Sequence, residues 1–213
     1  MNWALYHYPL CPFSRKIRII LKEKNINFEL ILEKYWERRK PFLSINPSGN
    51  TPVLLNKELN KYYYGVYSLF EFIEQNFPEP AILPTDYQTQ YKIRNISEWF
   101  DTKFYNEVTK YLLEEKIIKN IAVNINSAPP NSSAIRAAKK NILMHLDYID
   151  FLLKKDGGDY IGGEKIGLAD FSAAAQLSVL DYMGDVPWEY NAFVKSWYAL
   201  VKSRPSFKDI LND

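Results

Sequence analysis

Pro78, Pro80 and Pro84 interrupt the chain within the stretch NFPEPAILPTD, and the hydrophobic pattern differs in kind on its two sides. Before it, short alternating or aromatic runs read as strands. After it, strand signals vanish and only helical spacing remains. A chain patterned in this way folds as a small α/β layer followed by a helical bundle. Residues 1–78 are expected to form the first domain, 79–85 a linker, and 86–213 an all-helical second domain.

Residues 3–8 are apolar and aromatic and end at Pro9, which predicts a strand. Phe13, Ile17, Ile20 and Leu21 then follow the spacing of a helix with one buried face, with Arg15, Lys16, Arg18 and Lys22 on the remaining faces. Residues 27–33 alternate as a second strand. The following stretch, KYWERRKPFLSINPSGN, has the composition of a loop, and PVLL and KYYYG read as a hairpin across NKELN. Helical spacing returns at Val66, Leu69, Phe70, Ile73 and Phe77. The order is β-α-β, then a hairpin, then a helix, and a β-α-β unit implies a parallel pair with a right-handed crossover. Beyond the prolines, Asp86 is placed to cap a long helix running to about Lys110 and followed by YLLEEKIIKN. INSAPPNSS is a break that ends in a serine cap. Further helices are expected at 133–154, at LADFSAAAQLSVLDYM, and at NAFVKSWYALVKSRPSF, the last stopped by Pro205.

The chain has 213 residues, with 47% hydrophobic, 24% charged, and a net charge of +2, too small to argue for nucleic acid as a partner. No apolar run approaches the ~18 residues of a membrane span. No signal pattern opens the chain, and a single cysteine excludes an internal disulfide, so a cytoplasmic location is expected. One cysteine and two histidines make a structural zinc site a poor fit, and no metal site is expected.

Three motifs in order, YPLCPFSRKIRI, NPSGNTPVL and GEKIGLADFSAAAQL, make the chain similar to the glutathione S-transferase superfamily along essentially its whole length. The resemblance implies a thioredoxin-like N-terminal domain, an all-helical C-terminal domain and a homodimer. YWERRKPFLSINPSG, EWFDTKFYNEVT, LDYIDFLL and LSVLDYMGDVPWEYNAFVKSW carry a closer resemblance, to alphaproteobacterial members associated with the division GTPase FtsZ. Those members commonly carry a C-terminal tail beyond the point that corresponds to Asp213.

Cys11 precedes the first helix, where orphan N–H groups and the helix dipole favour an anionic sulfur. The resemblance puts the residue that activates glutathione there. Ser14 takes the place of the second thioredoxin cysteine, so dithiol exchange is excluded and a monothiol role remains. The alternative is purely local: Pro12 opens the helix and Ser14 is a hydrogen-bonding residue. In the superfamily the proline of Thr51-Pro52 is cis and the residue before it pairs with the cysteinyl part of glutathione, but the fold also uses this proline for packing.

The superfamily grips the γ-glutamyl end of glutathione with an acid-Ser pair at the start of the third helix. Here that pair falls on Gly65-Val66, which bring neither a charge nor a hydroxyl, and Ser68 two positions on has no acid before it. Losing two charge-assisted hydrogen bonds of about 1.5–3 kcal/mol each weakens binding by roughly a hundredfold or more. The site therefore reads as degenerate, with no tightly bound cofactor.

Gly167 and Asp170 match the superfamily's capping signature, a folding element. Trp99, Phe100, Phe104 and Tyr105, on the first long helix, divide between core and groove. Tyr35, Trp36, Arg38 and Arg39, with Lys34 and Lys40, make a basic aromatic loop suited to an acidic protein surface; the bland alternative is a solvated loop with Trp36 packed on the sheet. His7 and His145 are expected to be ordinary packing residues.

Two functions follow. The first is a non-catalytic partner of FtsZ filaments, recruited to the division site. The second is an active glutathione transferase or thiol transferase using Cys11, with glutathione as cosubstrate.

Overall fold

The structure, a computed structural model, describes residues 2–122 and 129–211. It divides into two compact units: residues up to Ile82, joined by the segment from Asp209 on, and Leu83–Lys208.

The first unit is built on a four-stranded sheet in the order β2-β1-β3-β4, with β1 Trp3–His7, β2 Glu29–Leu32, β3 Val53–Asn56 and β4 Lys61–Tyr64. β1 pairs in parallel with β2, Leu5 opposite Leu30, and antiparallel with β3, Leu5 opposite Leu54. β4 closes the hairpin onto β3. Ala4, Leu5, Val53 and Leu54 on the central strands are fully buried. Helices α1 (Pro12–Glu23) and α3 (Val66–Asn76) cover the sheet with Ile17, Ile20 and Leu21 on one and Leu69, Phe70 and Ile73 on the other. This is the expected β-α-β, hairpin and helix, a thioredoxin-like layer.

Two expectations need correction here. Arg15, Lys16 and Arg18 of α1 are buried, although helical spacing puts them off the apolar stripe. Ile19 is buried with them, so α1 is enclosed on nearly every side. The guanidinium of Arg15 donates from Nε to the Pro9 carbonyl at 2.7 Å, and Arg18 donates to the Asp209 carbonyl at 3.2 Å, so the charged ends are satisfied inside. The stretch read as a loop also contains a single-turn 3₁₀ segment, Tyr35–Glu37, and a short helix, α2 (Lys40–Ile45). Pro41 sits in its first turn, where a missing N–H costs nothing, and Phe42 is buried against Tyr6. The Thr51–Pro52 and Glu79–Pro80 peptides are both cis.

The second unit contains no strand among its described residues. Asp86 caps the first helix by accepting from the Thr89 N–H at 2.8 Å. That helix, α4, runs on unbroken through residues 87–121, with π-helical hydrogen bonding over Trp99–Thr109 and Glu114–Ile118. α5 (Ser132–Asp156) is capped by Asn131, not by a serine: its side chain accepts from Ser133 and Ala134 N–H at 3.0 and 3.1 Å. Part of the expected INSAPPNSS break lies outside the described residues. α6 (Leu168–Tyr182) is buried from Leu168 to Leu180 and forms the centre of the unit, as a helix apolar on every face must. α7 spans Ala192–Lys202, and Pro205 does not merely stop it but opens α8 (Pro205–Leu211).

Asp170 is the polar hub of this unit. Its carboxylate accepts from the N–H groups of Gly167 at 3.0 Å and Ile161 at 2.8 Å, and from the Trp197 indole at 2.9 Å. Burial pushes its carboxyl up to about 7, against the three N–H donors that hold it lower.

Candidate functional site

Cys11 is the N-cap residue of α1, in extended conformation, with Pro12 as the first helical residue. Its thiol is 6% exposed and lies 3.5 Å from the Thr51 carbonyl, which it reaches as a weak donor. The fold thus brings Cys11 and the Thr51-Pro52 peptide together, because β1 and β3 are neighbours, β1 leading into the Cys11 turn and β3 starting directly after Pro52. Ser14, one turn on, is fully buried, and its hydroxyl accepts from the Tyr8 N–H at 3.4 Å. It tethers the loop that leads into the helix.

Tyr8 escaped the sequence reasoning and links two groups of candidates. Its carbonyl accepts from the Cys11 N–H at 3.0 Å, and its N–H is held by Ser14. Its ring packs edge-on against Trp36 at 4.7 Å and Tyr35 at 5.9 Å, and those two rings meet at 5.1 Å. The basic aromatic loop is therefore anchored beside the cysteine by three rings. The available signal was an aromatic residue directly before the Pro-Leu-Cys turn.

The cations of that loop have different surroundings. Glu33, fully buried, binds Arg39 through both carboxylate oxygens, one of them 3.2 Å from Nε. This pairing holds the Arg39 proton more firmly than usual. Arg39 is the counterion of a buried carboxylate and fixes the loop. Lys34 lies 3.6 Å from Glu37. Arg38 adopts a left-handed backbone, φ +46°, and is exposed, as is Lys40.

Gly65 is the N-cap of α3 and Val66 its first residue, where the sequence reading placed the missing acid-Ser pair. No side chain caps this helix and its first turn carries no acid. Gly65 has φ +83°, a conformation that glycine alone adopts without strain. The Ser68 hydroxyl lies 3.8 Å from where a Cβ on Gly65 would stand, so a hydroxyl is near but no carboxylate accompanies it. These residues offer no anionic group there for an ammonium.

In the helical unit, Phe100 and Phe104 are core residues. Trp99 donates its indole N–H to His145 Nδ1 at 3.1 Å, and His145 Nε2 faces Glu107 at 3.1 Å. Glu107 also binds Lys103. An indole only donates, so His145 carries its proton on Nε2. Burial lowers its pKa, with Glu107 pulling the other way. Among the described residues no cluster of histidine, cysteine and carboxylate side chains could hold a metal ion, and no helix is long and apolar enough to cross a membrane.

A glutathione S-transferase N-terminal domain model matches residues 5–81 and a glutathione S-transferase C-terminal domain model matches residues 115–213. The chain belongs to the glutathione S-transferase family. Within it, the chain is 41% identical over 212 residues to FtsZ-localized protein A of Caulobacter vibrioides, covering 99% of this chain and 91% of that protein. The solved structure of FzlA from C. crescentus superposes with a TM-score of 0.93 at 40% identity, covering 100% and 93% of the two chains. A glutathione S-transferase from Rhodospirillum rubrum superposes at 0.92 with 38% identity, covering 99% and 92%.

Proposed function

We propose that this chain is a glutathione S-transferase-like adaptor that binds FtsZ filaments and does not retain glutathione. The observation that carries the reading is Gly65-Val66 at the head of α3, whose first turn supplies no acid for the tripeptide's ammonium. The likeness to FtsZ-localized protein A supports the choice of partner. The loop holding Tyr35, Trp36, Arg38 and Lys40 is the contact surface, with Arg39 fixing its shape through Glu33. Paired as a homodimer in the cytoplasm, the chain offers this surface twice and bridges neighbouring filaments. Cosedimentation with FtsZ polymers tests the proposal. The protein is expected in the pellet, and an Arg38→Glu, Trp36→Ala variant in the supernatant. Absence of the intact protein from the pellet refutes it.

The position of Cys11 at the α1 N-terminus favours a second reading, thiol transfer through a glutathione mixed disulfide. Against it stands the Thr51 carbonyl, which already receives the Cys11 thiol and which the family's ligand would need. Calorimetry decides: a glutathione dissociation constant near ~0.1 mM, lost in a Cys11→Ala variant, would restore the enzyme.

A further inference from the structure

β2 lies at the edge of the sheet, and among the described residues no strand pairs with its outer side. Residues along a strand point their N–H and C=O groups alternately to one side and the other. The Glu33 N–H bonds the His7 carbonyl at 2.8 Å, which fixes the phase: Glu29, Ile31 and Glu33 face β1, and Leu30 and Leu32 face outward. Neither leucine takes part in any backbone hydrogen bond outside the strand ladder among the described residues. Their side chains are 44% and 55% exposed. Among the devices that blunt edge strands, this one has a short length and the charge of Glu29, which Lys57 pairs, but no lysine, proline or bulge within it, so the main chain at Leu30 and Leu32 stays available.

The charges around the strand say what fits it. Its own carboxylates are neutralised, Glu29 by Lys57 and Glu33 by Arg39. The chain then passes directly into Lys34, Arg38 and Lys40. Arg38 and Lys40 are exposed and have no carboxylate partner among the described residues. An open ladder with two exposed leucines, continued by uncompensated positive charge, matches an extended segment that alternates apolar and acidic residues. We propose that β2 is a docking edge to which an acidic stretch of the partner adds as a fifth strand, with main-chain bonds to Leu30 and Leu32 and its carboxylates on Arg38 and Lys40. The inference rests on the adaptor reading and names how that surface grips its partner.

The probe is an acetylated ten-residue peptide of alternating glutamate and valine, added to the full chain, with amide hydrogen exchange read by NMR. Exchange at Leu30 and Leu32 is expected to slow by about tenfold or more at saturation, with Glu29 and Ile31 unchanged because the ladder already protects them. Leu32→Pro removes an outward N–H without touching the β1 ladder and should weaken binding about tenfold, whereas Leu32→Ala keeps the N–H and should stay within about threefold. Unchanged exchange at both leucines, or full binding by a folded Leu32→Pro variant, overturns the proposal. Loss of dimer in that variant also overturns it, in favour of a β2 contact between copies. FtsZ pelleting separates the two readings. Peptide protection without pelleting refutes the named partner and keeps the edge; pelleting that survives Leu32→Pro but is lost in Arg38→Glu keeps the partner and refutes the edge.

Discussion

Installing the missing pair at the head of α3 should create a glutathione site. The perturbation is Gly65→Glu with Val66→Ser. Space does not oppose it: a Cβ on Gly65 meets nothing nearer than the Ser68 hydroxyl at 3.8 Å and its Cβ at 4.0 Å, ordinary contact distances. The backbone does oppose it, since φ is +83° and a side chain there costs about 1–3 kcal/mol of fold stability. The return is two charge-assisted contacts, of about 1.5–3 kcal/mol each, to the ammonium and carboxylate of the ligand. Their sum corresponds to at least about a hundredfold in affinity. Calorimetric titration of wild type, Val66→Ser alone and the double variant would measure it, with urea unfolding run in parallel. The wild type should bind more weakly than ~1 mM, the single variant should gain about ten- to a hundredfold from its one contact, and the double variant should exceed the single variant by at least about tenfold at a stability loss of about 1–3 kcal/mol. A folded double variant that gains less than about threefold, or a wild type that already binds near ~0.1 mM, would refute the reasoning from Gly65-Val66.

Asp170→Ala strands three buried donors, on Gly167, Ile161 and Trp197, and should destabilise by about 3–6 kcal/mol, read as a lower urea midpoint. Lys24 is buried, 2.7 Å from Glu74 and bonded to the Phe77 and Pro80 carbonyls at 2.6 and 3.0 Å; Lys24→Met should cost about 3–5 kcal/mol by the same measurement. His145 is held neutral, its folded pKa below the unfolded value, so its stabilisation is complete above about pH 6.5 and lost as pH falls through the folded value. Thermal melts of His145→Gln against wild type should show a shallower acid decline in the variant.

The parts of the fold that follow one rule throughout were legible in the sequence. Ile17, Ile20 and Leu21 announce α1 by spacing alone, and the mostly apolar, small-residue-rich run of α6 announces a central helix. Where two rules conflict, composition misled. Pro41, Ser44 and Asn46 give α2 the look of a loop, although a first-turn proline is compatible with a helix. Pro205 opens a helix for the same reason. Asn131 and the serines after it are all plausible caps, and only the geometry picks Asn131. The burial of Arg15 and Arg18 has no local signature, because each donates to a main-chain carbonyl, that of Pro9 and that of Asp209. At the site, the position of Gly65 and Val66 at the start of α3 was legible by counting from the helix pattern. That Arg39 serves a buried Glu33, and that Tyr8 joins the cysteine to the aromatic loop, depends on side-chain contacts among the segments that follow β1 and β2, which no linear pattern encodes.

Tyr8 joins the aromatic loop to the turn that carries the cysteine. Its main chain fixes the turn that carries the sole thiol, and its ring forms part of the cushion under Trp36. The indole thus rests on the same residue whose carbonyl holds the Cys11 N–H. The rate at which a small maleimide labels Cys11 should therefore report occupancy of the aromatic loop, without any engineered cysteine or dye elsewhere in the molecule.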